Sequence, residues 1–253
     1  MPHILLTNDD GVFAPGILAL AKALQAQARL TIVAPNKECS ASSNALTTRS
    51  PLRLKQVELD GGIPGWTCDG TPVDCVKMGL RIVCEQDPPD LVISGINSDS
   101  NLGSDVLYSG TVGAAMDGVL LGVPAFAISL SYGEPRDDFS NAARFAGVLA
   151  GQVLEQGLPE GVLLNVNVPP GNGVRDVRIT AQGRGRFLES YDSREDPAGR
   201  PYYWIQGLRE PAPEHPDSDE AAVADRAISV TPLRVDMTDR DCMAALQSWK
   251  LDK

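Results

Sequence analysis

The stretch HILLTNDDG, residues 3–11, decides how the rest of the chain is read. HILL has the look of a short buried strand, and Asp9 and Asp10 follow it side by side. Two carboxylates about 4 Å apart repel each other by roughly 1 kcal/mol even in water, and by more near a protein. Asn-Asp-Asp-Gly is good turn chemistry, because Asn and Asp bond to nearby backbone and Gly takes a positive φ, so a solvated turn is the default reading. The alternative is a divalent cation, which converts the repulsion into attraction.

Working outward, a strand at 3–7 is followed by a helix from Pro15 through LALAKALQAQ (18–27) and a strand LTIVAP (30–35). This βαβ opening predicts parallel strands covered by helices. Shorter extended segments fill 51–68. Thr71-Pro72 caps and opens a helix VDCVKMGLRIV (73–83), Asp69 and Asp74 serving its start. LVIS (91–94) reads as a buried strand, a long Gly- and Asn-rich loop spans 95–111, and an alanine-rich helix lies near 111–121. A strand at 125–130, an amphipathic helix at 140–156 and a strand LLNVNV (163–168) complete an α/β, Rossmann-like, mostly parallel sheet flanked by helices. After Pro169-Pro170 the pattern changes. VRIT (177–180) and RPYYWIQG (200–207) read as exposed or partner-covered strands, and AISVTPL (227–233) and DRDCMAALQSWKL (239–251) as a return strand and a terminal helix. This divides the chain into a Rossmann-like core, 1–170, and an extended, β-rich C-terminal portion, 171–253. Tyr202, Tyr203 and Trp204 cannot all face one interior on a strand of period two, so one face is expected to meet another subunit.

Composition narrows the function. The 253 residues carry 22 Lys and Arg against 33 Asp and Glu, a net charge of −11, which argues against a duplex nucleic-acid binder. No apolar run approaches the ~20 residues of a membrane span and the N-terminus lacks the features of a signal peptide, so a cytoplasmic location is expected. Five cysteines without a CxxC pair suit neither a disulfide framework nor zinc. With two histidines, His3 and His215, a Ser-His-Asp apparatus is poorly supplied, and His215 reads as solvated. Oxygen-ligand metal chemistry remains.

In an open parallel sheet, ligands bind beyond the carboxyl ends of the strands. The three loops that should share that mouth carry NDDG, KECSASSNA (37–45) and SGINSDSNLGSDVLYSGTVGAA (94–115). Carboxylate, hydroxyl and amide oxygens dominate all three, the donors that Mg²⁺ or Mn²⁺ takes. Ser109, Gly110 and Thr111 stand where a helix begins, a ready phosphate seat. Ser109 or Thr111 as a plain N-cap is the bland reading, and the neighbouring carboxylate pair favours the phosphate seat over it. Asp105 and Asp117 read as backbone-orienting; Arg184, Arg186 and Arg194 read as solvated or paired between subunits. A Rossmann dehydrogenase fares poorly, since the first βα turn has NDDGVFAPG in place of GxGxxG.

Taken together, NDDG, APNKECSASSNALT, SGINSDSNLGSDVLYSGTVGAAMDG, LLNVNVP, GRPYYWI and SVTPLRVDMTD closely resemble the SurE (survival protein E) family over essentially the whole chain. The resemblance implies a Rossmann-like core and a phosphomonoesterase acting on nucleoside 5′-monophosphates, with 3′-monophosphates and short polyphosphate as further substrates. It also implies one divalent metal ion per subunit, Mg²⁺ or Mn²⁺, and a C-terminal portion used to form a homodimer or homotetramer. Its metal ligands fall on Asp9, Asp10, Ser40 and Asn97, and its phosphate-side residues on Asn101, Ser109, Gly110 and Thr111. Asp9 and Asp10 are then the catalytic pair; a carboxylate committed to an ion is a poor nucleophile, which favours attack by water over an aspartyl-phosphate. Cys39 stands where relatives often carry a basic residue, and INSDSNLG lacks a glycine expected near Asp99 or Ser100; neither change touches a ligand. The competing reading is a metal-dependent nucleotide-binding stress protein without turnover.

Overall fold

The computed structural model describes residues 1–135, 138–210, 215–249 and 251, the side chains of Arg186 and Arg209 excepted. Strand β1 (His3–Thr7) is buried at every position, and β2 (Arg29–Pro35), β5 (Leu91–Asn97), β6 (Ala125–Leu130) and β7 (Val162–Val168) are mostly so. With β3 (Leu54–Leu59), β4 (Ile63–Cys68), β8 (Val177–Ile179) and β11 (Ile228–Arg234) they form a nine-stranded sheet of order β3-β4-β2-β1-β5-β6-β7-β11-β8. The run from β4 to β7 is parallel, whereas β3 pairs antiparallel with β4 and β11 antiparallel with β7. The return strand thus joins the main sheet and does not stand apart from the core.

Helices cover both faces. Ile4 and Leu6 of β1 pack with α1 (Pro15–Leu24) and α4 (Ser140–Gln156) through Ile17, Leu20 and Ala146. Leu5 points the other way, to α2 (Pro72–Met78) and α3 (Gly110–Leu120) through Val76, Val112 and Ala115. Period-two alternation along one fully buried strand therefore feeds two cores.

Helix α2 starts as expected. Thr71 accepts from the Asp74 N–H while the Asp74 carboxylate accepts from the Thr71 N–H, a reciprocal capping box. Asp69 differs from expectation: it accepts the Arg53 N–H at 2.7 Å and pairs with the Arg53 guanidinium, so it closes a loop and leaves the cap to Asp74. The expected helix does run to Val83, but it changes type: the α-helical hydrogen bonding ends at Met78 and the chain continues as a π-helix over Gly79–Val83. Asp117 forms an ion pair with Lys77 at 2.8 Å that ties α3 to α2, rather than orienting a loop.

Beyond β8, β9 (Arg186–Glu195) and β10 (Pro201–Glu210) form a separate antiparallel hairpin. A short helix α5 (Asp219–Ala224), absent from the sequence reading, precedes β11, and α6 (Arg240–Leu246) follows it. Tyr202, Tyr203, Trp204 and Ile205 are all exposed.

The chain passes from β1 to β2 on one side and later returns to place β5 on the other. This reversal of strand order opens a crevice at the carboxyl ends of β1 and β5. The NDDG turn and the long loop after β5 both emerge there.

Candidate active site

The turn reading and the cation reading of NDDG prove compatible, because different residues carry them. Asn8 is fully buried and closes the turn on Gly11: its Nδ2 donates to the Gly11 carbonyl at 2.9 Å and its Oδ1 accepts the Gly11 N–H at 3.2 Å. Gly11 takes φ +106°, which favours glycine. Asp9 and Asp10 are left free of turn duty.

Asp9 is 4% exposed and sits against the start of α3, where Thr111 donates its hydroxyl to Oδ1 and its N–H to Oδ2. Burial pushes the Asp9 carboxyl up from its ordinary value, and the Thr111 hydroxyl pulls against that. Asp10 is half-buried, held by the Ser98 N–H at 3.2 Å and more loosely by the Ser98 hydroxyl at 3.5 Å. Burial first, then the charge of Asp9, pushes the Asp10 carboxyl up to about 6. Among the described residues no Lys, Arg or His pairs with either carboxylate.

The second loop is pinned to the first where the Cys39 N–H donates to the Asp9 carbonyl at 2.8 Å, one residue before the exposed Ser40. The Ser40 hydroxyl donates to Glu38 at 2.7 Å. Asn97 turns its Nδ2 to the Asp99 carbonyl, leaving Oδ1 without a hydrogen-bond partner among the described residues. Further along, Ala41 and Ser43 adopt φ of 55° and 50°, a costly conformation for residues with side chains. Between them lies Ser42, whose Oγ is buried and unpartnered among the described residues. A Cβ on Gly110 would stand 2.6 Å from that Oγ and 3.0 Å from Asp9 Cβ and Oδ2. Glycine at 110 is therefore required by a close approach and not by backbone freedom. In this hydroxyl-rich loop the sequence alone points to Ser40 and does not distinguish Ser42.

At the head of α3 the N-cap reading of Ser109 holds: its Oγ accepts the Val112 N–H at 3.1 Å, and its carbonyl accepts the Gly113 N–H. With the Thr111 N–H given to Asp9, Gly110 is the first-turn donor left open among the described residues. Thr111, read from the sequence as a phosphate contact, faces Asp9 with both its donors.

The loop after β5 is held by residues of LLNVNV, whose apolar run predicts an ordinary strand. The Asn101 N–H donates to Asn167 Oδ1 at 2.8 Å, and its carbonyl accepts from Asn165 Nδ2 at 2.8 Å and Asn167 Nδ2 at 3.0 Å. Its own Nδ2 donates to Ser129 at 2.8 Å. Asn101 is thus 6% exposed and clamped from below, its backbone and amide nitrogen committed inward. Two asparagines at period two inside the apolar run LLNVNV were the available signal.

A second clamp follows. Asp219, fully buried, accepts from the N–H groups of Gly103 (3.1 Å), Gly183 (2.9 Å) and Glu220 (2.8 Å). Gln182 donates to the Gly103 carbonyl, and Ser104 donates its N–H and hydroxyl to the Gly185 carbonyl. The base of the β9–β10 hairpin is so joined to the loop that leads to Ser109. Arg184, between the two glycines, is exposed, Arg194 pairs with Asp192 on the hairpin, and Arg186 carries a side chain outside the described residues.

Comparison with known proteins gives a consistent result. The family described as survival protein SurE matches residues 4–189. The chain is 48% identical over 255 residues to the 5′-nucleotidase SurE of Desulforudis audaxviator (strain MP104C), covering 99% of this chain and 98% of that protein. It is 46% identical to the 5′-nucleotidase SurE of Desulfatibacillum aliphaticivorans, covering 99% of each. Among solved structures it is similar to the SurE protein from Aquifex aeolicus, with a TM-score of 0.84 and 38% identity over 97% of this chain and 98% of that one.

Proposed function

The chain belongs to the SurE family, and from that premise we propose that it is a divalent-metal-dependent 5′-nucleotidase, hydrolysing nucleoside 5′-monophosphates to nucleoside and phosphate. One observation carries the reading: two adjacent carboxylates withdrawn from water at the sheet's switch point, with no cation among the described residues paired to balance them.

The donors fit a hard divalent ion. Among the described residues no three His, Cys, Asp or Glu side chains gather around a common point, so a site rich in nitrogen or sulfur is not what these loops offer. They offer two carboxylates, a hydroxyl and an amide oxygen, the set suited to Mg²⁺ or Mn²⁺. Asp9, Asp10, Ser40 and Asn97 would hold one such ion per subunit. When bound, the ion supplies Lewis acidity toward the phosphoryl group and makes a nearby water a stronger nucleophile.

The chain's own residues do the rest. Thr111 fixes the rotamer of Asp9, so the carboxylate is ordered before any ligand arrives. Asp10, tethered through Ser98, accepts the proton of the attacking water. The Gly110 N–H and the positive end of α3 take the phosphoryl oxygens as their charge grows, with the Ser109 hydroxyl beside them. Asn101, clamped by Asn165 and Asn167, sets the path of the loop between Asn97 and Ser109 on the phosphate side. In this reading the exposed aromatic strand 202–205 joins subunits into a homodimer or homotetramer, and the five unbridged cysteines suit a reducing, cytoplasmic compartment.

The test is phosphate release from a panel of nucleoside monophosphates with Mn²⁺ or Mg²⁺, with and without EDTA. Release that EDTA abolishes and Mn²⁺ restores supports the assignment. Metal-dependent nucleotide binding with no release would make the chain a non-catalytic binder.

A further inference from the structure

A cleft of about 480 Å³ opens beside Asp10 and is lined by Asp10, Phe13, Lys37, Glu38, Ser98 and Phe139, together with the backbone between them. Its size falls in the range of small-molecule sites, ~300–1,000 Å³. The cleft is continuous with the ion-binding set. Ser98 donates to Asp10, and Glu38 accepts the hydroxyl of Ser40. A molecule whose phosphate lies at the head of α3 therefore has this cleft as adjoining space.

Two features define what the space accepts. Phe13 is 67% exposed on the loop that carries the catalytic pair, while Phe139 is 5% exposed and packed. A lone exposed apolar side chain needs no explanation by itself; an aromatic ring presented inside a cleft that touches the reacting groups offers a face for stacking. With Asp10 committed to the ion, Lys37 and Glu38 leave the lining without a net positive charge to attract a second phosphate, which favours an uncharged, planar group.

We propose that this cleft is the nucleoside seat and that Phe13 stacks on the base, making it the residue that selects nucleoside monophosphates over base-free sugar phosphates. The inference rests on the nucleotidase reading and adds the part of the substrate that this site distinguishes. Base-on-aromatic stacking is sequence-tolerant, since every base has a π-face, and its removal by alanine typically costs about 10- to 100-fold in binding. The seat thus gives a preference for nucleotides with little discrimination among bases.

The experiment compares the full-length chain with Phe13→Ala and Phe13→Trp on a nucleoside 5′-monophosphate and on ribose 5-phosphate, with Mn²⁺. A companion titration follows adenosine binding by saturation-transfer NMR. Phe13→Ala is expected to lower the nucleotide-to-sugar-phosphate ratio of kcat/KM by about 10-fold or more, chiefly through KM, and to lose adenosine binding, while Phe13→Trp retains both. An unchanged ratio in folded Phe13→Ala overturns the proposal. So does a change of oligomeric state by light scattering with selectivity intact, which would make the cleft a subunit contact. If the unsubstituted chain releases phosphate from neither substrate, the nucleotidase reading fails; adenosine binding and its dependence on Phe13 still decide the seat.

Discussion

Thr111 holds both oxygens of Asp9, one through its hydroxyl and one through its N–H at 3.2 Å, across 102 residues of sequence. The carboxylate that begins the first loop is thus oriented by the helix that ends the third. Thr111→Val keeps the side chain's volume and removes the hydroxyl. Hydrogen bonds to charged groups contribute about 1.5–3 kcal/mol, and this one favours the charged form of Asp9. Without it, Asp9 protonates at a higher pH, and a cation must compete with that proton. The midpoint of Mn²⁺ binding against pH should move upward, with affinity at pH 6 reduced by about 10-fold and affinity at pH 8 reduced less. An unchanged midpoint would contradict the role assigned to Thr111.

Gly110→Ala separates stability from activity. Alanine is the better helix residue, by roughly 0.5–1 kcal/mol, but its Cβ would meet Ser42 Oγ at 2.6 Å and Asp9 at 3.0 Å. The expected outcome is a folded protein with a near-parental Tm and kcat/KM lowered by about 100-fold, the usual cost of a displacement near 1 Å. Parental activity would mean that the head of α3 tolerates that displacement.

The carboxylate pair destabilises the ion-free protein. Asp10 has its folded-state value raised from 3.8 to about 6. Its charge therefore costs nothing below about pH 3.8, and the penalty grows to its full size as pH rises through about 6. After discounting for solvent screening, the effect is about 1 kcal/mol, or ~2–4 °C in Tm for a chain of this length. Thermal melts in EDTA should show Asp10→Asn more stable than the parent at pH 7.5 and indistinguishable from it at pH 4. The reverse order, or equal gains at both pH values, would count against this electrostatic account.

Asp219 holds the loop that leads to the phosphate side from behind. Asp219→Asn places an NH₂ group against N–H donors from Gly103 and Gly183, leaving a buried donor unsatisfied at about 1–3 kcal/mol. A Tm loss of several degrees is expected, together with a KM for nucleotide raised about 10-fold well below the melting range. Mn²⁺ affinity, set by Asp9, Asp10 and Ser40 on other loops and by Asn97 at the start of this one, six residues before Gly103, should stay within about 2-fold. A lowered Tm with parental KM would confine Asp219 to a structural role.

Much of the core was legible because its signals are local. His3–Thr7, Ala125–Leu130 and Ser140–Gln156 follow from hydrophobic period, and the start of α2 from Thr71-Pro72. NDDG announced a site because its charge repulsion is itself a local fact. What stayed hidden depends on contacts distant in sequence. Asn165 and Asn167 sit in an apolar run, and only the position of Asn101, more than 60 residues away, gives them a purpose. Asp219 lies in a Pro- and Asp-rich stretch that reads as solvated, yet Gly183 lets the backbone close over it. Ser42 resembles its neighbours until Gly110 comes against it.

The most direct test of the central claim, that Asp9 and Asp10 tolerate each other because a divalent cation joins them, is anomalous diffraction from crystals soaked in Mn²⁺. The expected result is one manganese peak per chain in contact with both carboxylates, absent in Asp10→Asn, a variant expected to fold and to lose nearly all turnover. No peak between the two aspartates in a protein that still releases phosphate in a Mn²⁺-dependent manner would contradict the account.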